Sequence, residues 1–140
     1  MFYDPAMTAP MRTELTQFGV RSLETAEQVD DVLADSAKTT LLVVNSVCGC
    51  AAANARPGVA MASRHGTQPD NLVTVFAGVD REATERARSY IKGYMPSSPS
   101  MALLKGGEVA FMLQRHEIEG RSPEDIAARL SSAFDEHCTG

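Results

Sequence analysis

Residues 39–46, TTLLVVNS, form a continuous apolar run that is too short for a typical helix and lacks the alternation of a half-buried strand. Such a run suits a strand covered on both faces. Residues 71–79, NLVTVFAGV, repeat the pattern and predict a second buried strand. Helical spacing separates and flanks these runs. In SLETAEQVDDVLAD, Thr25 and Gln28 make a capping-box pattern, and Val29, Val32 and Leu33 fall on one face. The alanine-rich segment 50–65 reads as a helix kinked at Pro57, which has no N–H to donate. Asp80 is placed to cap a helix over residues 81–91. Two strand–helix units in succession imply a parallel pair.

The pattern then changes. SMALLKGGEVAFMLQR holds two strand-like runs about Lys105, Gly106 and Gly107, which predicts an antiparallel hairpin. RSPEDIAARLSSAFDEH closes the chain as a helix, with Ser122 at the N-cap, Pro123 in the first turn, and Ile126, Leu130, Ala133 and Phe134 on one face. The expected architecture is α/β, a four-stranded mixed central sheet with helices on both faces. Residues 1–20 are expected to form an N-terminal extension with a short helix near 12–18, and residues 21–140 the domain proper.

Length and charge narrow the function classes. A chain of 140 residues can form one core without disulfide staples. A formal net charge of −5, with Lys and Arg scattered, argues against a nucleic-acid partner. No segment approaches the roughly 18 apolar residues of a membrane span, and residues 1–20 lack the basic start and apolar centre of a secretory signal. A cytoplasmic protein without a membrane partner is expected, as a monomer or weak homodimer. Thiols there are kept reduced, which points its three cysteines towards redox, catalytic or metal chemistry rather than cross-links.

Two of the three, Cys48 and Cys50, stand one residue apart where the first buried strand gives way to a helix. Ligand sites of open α/β sheets gather at such junctions, and the unpaired N–H groups of a helix start stabilise a thiolate. An ordinary thiol, with a pKa of about 8.5, is only about 3% ionised at pH 7, so this stabilisation enlarges the reactive fraction. Arg56, the nearest cation in sequence, lies well into the helix and by default on a solvated face. Gly49 lets the two sulfurs close a small ring if it takes an unusual backbone conformation; such a strained disulfide would be exchange-prone. Pro99, preceded by Ser97 and Ser98, opens a strand where a cis X-Pro bond is plausible. Facing the cysteines, it would leave the backbone of Ser98 free to pair with an extended thiol substrate.

The order of elements, the cysteine pair and Pro99 together resemble the thioredoxin fold, with the usual two-residue spacer reduced to one glycine and no tryptophan before the first cysteine. More specifically, VVNSVCGCAA, ARPGVA, QPDNLVTVFAGVD, PSSPSMALLKG and RHEIEG resemble the bacilliredoxin family, also described as thiol-disulfide isomerase-like, over residues 11–138. The resemblance implies a thiol-disulfide oxidoreductase that removes bacillithiol, a small cytosolic thiol, from mixed disulfides on S-thiolated client proteins. It implies Cys48 as nucleophile, Cys50 as its partner, and Cys138 as a candidate resolving thiol. Gly49, Ser98 and Pro99 are the expected substrate-binding positions. No bound cofactor and no metal are expected; bacillithiol or a similar low-molecular-weight thiol is substrate and co-substrate.

Alternative readings remain in view: a protein disulfide isomerase, a metal site built from Cys48, Cys50 and either Cys138 or a histidine, and a noncatalytic module on the same scaffold. His65, His116 and His137 lack ligand spacing. Glu117 and Glu119 read as solvated loop charges, and Met61, Met95, Met101 and Met112 as core and pocket lining.

Overall fold

Every residue of the central run Thr40–Asn45 is buried, and its side chains alternate between two separate cores. Leu41 and Val43 join Leu15, Val59, Met101, Leu130 and Phe134 on one face. Leu42 and Val44 join Leu23, Val29, Val75, Ala87 and Leu104 on the other. That double burial is why the run is continuously apolar.

The computed structural model describes residues 4–138. In chain order the elements are α1 (Pro5–Thr16), β1 (Arg21–Ser22), α2 (Ala26–Leu33), β2 (Thr40–Asn45), a π-helical turn (Ala51–Ala55) leading into α3 (Arg56–Ala62), β3 (Asn71–Phe76), α4 (Arg81–Arg88), β4 (Ser100–Lys105), β5 (Glu108–Leu113), α5 (Arg115–Ile118) and α6 (Pro123–His137). The sheet order is β1-β3-β2-β4-β5. β2 runs parallel to β3, from Thr40↔Asn71 to Asn45↔Phe76, and antiparallel to β4, from Thr40↔Leu104 to Val44↔Ser100. The predicted parallel pair and hairpin are both present. Gly106 and Gly107 have φ of +64° and +79°, the two left-handed residues that a tight type I′ hairpin turn needs. In β5 one residue, Ala110, bulges out between Val109 and Phe111. Among the described residues no helix is long and apolar enough to cross a membrane.

Several expectations need correction. The sheet has five strands rather than four, because Arg21 and Ser22 pair with Val73 and Thr74 along the outer edge of β3; two residues carry no detectable period. α1 starts at Pro5, not near residue 12. The Asp4 carboxylate accepts from Ala6 N (2.9 Å), and Pro5 sits in the first turn, where a missing N–H costs nothing. Leu15 and Val20, at its end, are buried in the same core as Val43 and Leu130. Asp80 occupies the N-cap position of α4 without capping it: its carboxylate takes Arg12 Nη1 at 2.7 Å instead. That helix ends at Arg88.

α3 and α6 pack closely at Gly58. A Cβ there would stand 2.6 Å from Ile126 Cγ2 and 2.9 Å from Ile126 Cβ, so the glycine that interrupts the helical pattern admits the neighbouring helix. Gly58→Ala is therefore expected to lower stability. Overpacking costs about 1–3 kcal/mol, against at most about 1 kcal/mol of regained helix propensity. Urea denaturation should show a lower midpoint at unchanged m-value; an unchanged midpoint would refute the close-packing account.

Candidate active site

The end of β2 is fixed from behind. Arg56, only 2% exposed, donates from Nη1 to Asn45 Oδ1 (3.1 Å) and to the Ser46 carbonyl (2.8 Å). Its Nε makes an ion contact with Glu14 Oε1 of α1 at 3.2 Å. Asn45 Oδ1 also accepts the Ser46 N–H at 2.8 Å. Arg56 is thus a buried strut and not the solvated charge expected. The cause lies in Pro57, which cannot donate to the carbonyl four residues back. The helix widens to a π turn over Ala51–Ala55, with the Arg56 N–H bonded to the Ala51 carbonyl. One extra residue in a turn rotates the side chains beyond it by about 100° relative to an uninterrupted helix.

Cys48 and Cys50 sit directly in front of this strut, with their sulfurs 2.9 Å apart and both thiols free. The Cys48 N–H donates to Ser46 Oγ at 3.2 Å, so the hydroxyl can turn its own hydrogen toward the Cys48 sulfur. Burial resists ionisation of Cys48, but hydrogen bonds from the Cys50 thiol, the Ser46 hydroxyl and the N–H groups of Ala51 and Cys50 outweigh it, and the pKa falls below the ordinary thiol value. Cys50 moves the opposite way, pushed up to about 11 by burial, by its hydrogen bond to Cys48 and by the charge there. Arg115 partly offsets that rise, and Glu119 adds to it. The N–H donors foreseen at the helix start are present; the Ser46 hydroxyl was missed, although a Ser two positions before the first cysteine is the sequence sign of it.

The segment 97–99, where the Ser98–Pro99 bond is cis, is linked to the pair through Arg115, which feels the charge of both sulfurs. Arg115, at the start of α5, anchors it: Nη1 donates to the Ser98 carbonyl (3.3 Å), the backbone N–H to Ser97 Oγ (3.3 Å), and Nε to Glu119 Oε1 (2.5 Å). The Ser98 carbonyl is therefore already engaged, so the Ser98 backbone is not wholly free. Sequence reasoning singled out neither Arg115 nor α5, a four-residue helix closed by the mutual capping of Gln114 and Glu117. Glu119 is an ion-pair partner of Arg115 rather than a free loop charge.

Gly49 is exposed, its φ is not left-handed, and nothing lies within 4 Å of where a Cβ would be. The unusual backbone anticipated for it is absent while the thiols are reduced. Cys138 lies elsewhere. It caps α6, contacts Thr39 at the start of β2, and has a raised pKa, from burial first and from Asp70. The six residues of β2 put roughly 20 Å between that end and the cysteine pair. His65 pairs with Asp135 at the surface (2.9 Å). Among the described residues no group of three or more His, Cys, Asp or Glu could hold a metal ion.

Similarity to known proteins agrees with this geometry. The family described as Disulphide isomerase matches residues 3–138. A bacilliredoxin of Shouchella clausii is 53% identical over 136 residues, covering 97% of this chain and 94% of that one. One of Bacillus licheniformis is 52% identical over 137 residues, covering 97% and 95%. The chain belongs to the bacilliredoxin family. Thiol–disulfide exchange is the activity that this membership supports. A thioredoxin of Malassezia sympodialis shares the fold, with a TM-score of 0.55 at 13% identity over 86% of this chain and 92% of that one.

The unequal thiols can be checked by their reactivity. The rate of alkylation of Cys48 by iodoacetamide, which needs the thiolate, should level off at a lower pH than for an ordinary thiol, with Cys50 labelled at neutral pH only after Cys48 has reacted. Ser46→Ala removes one donor to the sulfur and should move that midpoint upward; an unmoved midpoint would exclude the hydroxyl. Arg56→Lys cannot present a fork to Asn45, Ser46 and Glu14 at once. It is expected to cost about 1–3 kcal/mol of stability, measured by denaturant titration.

Proposed function

We propose that this protein removes a low-molecular-weight thiol, bacillithiol or a close chemical equivalent, from S-thiolated client proteins. The observation that carries the reading is the split between two thiols 2.9 Å apart, one lowered and the other pushed up to about 11. Cys48 thiolate attacks the small-thiol sulfur of the mixed disulfide. A new S–S bond forms on Cys48, the old one breaks, and the client leaves as a thiolate that takes a proton from solvent. Cys48 gives an electron pair to the small-thiol sulfur, the pair of the broken S–S bond leaves with the client, and the small thiol stays on Cys48.

The first step also prepares the second. Once Cys48 is in a mixed disulfide, its charge and its hydrogen bond to Cys50 are gone, and both had raised the Cys50 pKa. Cys50 is then the better nucleophile and can expel the small thiol as the internal disulfide closes. Alternatively a second small thiolate attacks the sulfur of the first, the two leave as their symmetric disulfide, and Cys48 is expelled as the thiolate with both cysteines reduced. Cys138, at the other end of β2, is not required for either route. The family's description as Disulphide isomerase supports a second reading in which the same Cys48 attack opens a protein disulfide.

Cys48→Ser is expected to abolish removal of a small thiol from a model client, whereas Cys50→Ser should complete the first half-reaction and accumulate one small thiol on Cys48, visible as an added mass. Wild-type rates in Cys48→Ser would refute the assignment. Recovery of native pairing in a scrambled disulfide protein, dependent on Cys48, would favour the isomerase reading.

A further inference from the structure

Beside the segment 97–99 lies a cleft of about 270 Å³, counting the solvent at its mouth, with Arg88, Ile91, Tyr94, Met95, Ser97 and Met112 in its wall. Arg88 is the only charged side chain in that wall. Its Nη2 reaches the Ser97 carbonyl at 3.4 Å, while its Nε is buried and has no hydrogen-bond partner. Among the described residues no carboxylate pairs with it, and burial alone, unopposed by any negative group, lowers its pKa. An acidic protein that leaves one guanidinium unpaired in an apolar recess has a place for an anion. A buried N–H without an acceptor is otherwise costly.

We propose that this cleft binds the carboxylate of the small thiol that the protein exchanges, with Arg88 as the residue that grips it. The inference rests on the exchange reading above and assigns to it a specificity-determining residue outside the cysteine motif.

Three observations select this occupant. Arg115, the cation that acts on Cys50, is already paired with Glu119 at 2.5 Å, which leaves Arg88 as the guanidinium on the 97–99 segment with no carboxylate partner among the described residues. Only about 30 Å³ of the cleft is open to water-sized groups, so it admits the charged end of a small molecule and not a stretch of folded client. Position agrees as well. Arg88 holds the Ser97 carbonyl and Arg115 the next one, Ser98, so the anion site and the thiol site share one wall, and residues 97 to 99 span at most about 7 Å of chain. The apolar neighbours strengthen the ion pair by excluding water.

The test uses the full chain with S-methyl-N-acetylcysteine, an unreactive thioether with one carboxylate, and with its uncharged amide. Each is titrated into wild type, Arg88→Gln and Arg88→Lys, with the Ser97 backbone amide followed by NMR. The acid is expected to bind the wild type on the order of tenfold more tightly than the amide. Arg88→Gln should remove that preference, and Arg88→Lys, which keeps the charge without the fork, should retain part of it. In parallel, one reporter protein is loaded with N-acetylcysteine or with its amide, and the acid should show the lower KM in wild type only. Equal binding of acid and amide by wild type, or an undiminished preference in Arg88→Gln, overturns the inference. In that event Cys48-dependent removal of either thiol would leave the exchange reading standing. Acid-selective binding lost in Arg88→Gln, without any Cys48-dependent removal, would sink the exchange reading and keep the anion site.

Discussion

Arg56 carries its charge into the interior, and each of its contacts there is to an element that has to be held still: the last residue of β2, the carbonyl just past it, and α1. Burying a guanidinium is unfavourable unless its donors are met. Glu14, which answers the charge, remains about 43% exposed, so the backbone and side-chain oxygens at the β2 terminus share the task. Those same groups hold Ser46, and Ser46 holds Cys48. The cysteine loop is therefore positioned by the interior of the protein, while its outer face is left open for substrate.

In front of that anchor, two chemically identical side chains behave differently because they touch. Whichever sulfur is met by more donors becomes the anion, and its neighbour then faces a negative charge and is held protonated. The helix start supplies two backbone donors to Cys48 and Ser46 supplies a hydroxyl, so the choice is made by local backbone geometry more than by a nearby cation. Arg115 and Glu119 act in opposite directions on Cys50, and both come after its burial and its contact with Cys48.

Much of this was legible in the chain. A short, β-branched apolar run bounded by helical patterns suits a strand buried on both faces, and the two cysteines at its carboxyl end were read from the same stretch. Ser122 and Thr25 cap as their spacing requires: each hydroxyl accepts a backbone N–H three residues on. What escaped has physical causes. The edge strand Arg21–Ser22 is too short to show a period. Asp80 had the right residue type and position for a cap, but Arg12, distant in sequence, competes for its carboxylate. The inward turn of Arg56 depends on a π turn that Pro57 imposes, and a pattern read at 3.6 residues per turn places that side chain elsewhere. Arg88 gave no sign at all, because a lone arginine near a helix end reads as an ordinary favourable interaction with the dipole.

Gly49 stands between the two sulfurs with no side chain, exposed, and with vacant space above it. Bare main chain at the centre of the motif offers an incoming protein neither a ledge to fit nor a group to clash with. Shape discrimination among large partners cannot arise there, so any selectivity of a site on this motif has to be sought at its rim, in the residues of the 97–99 segment and the α5 arginine.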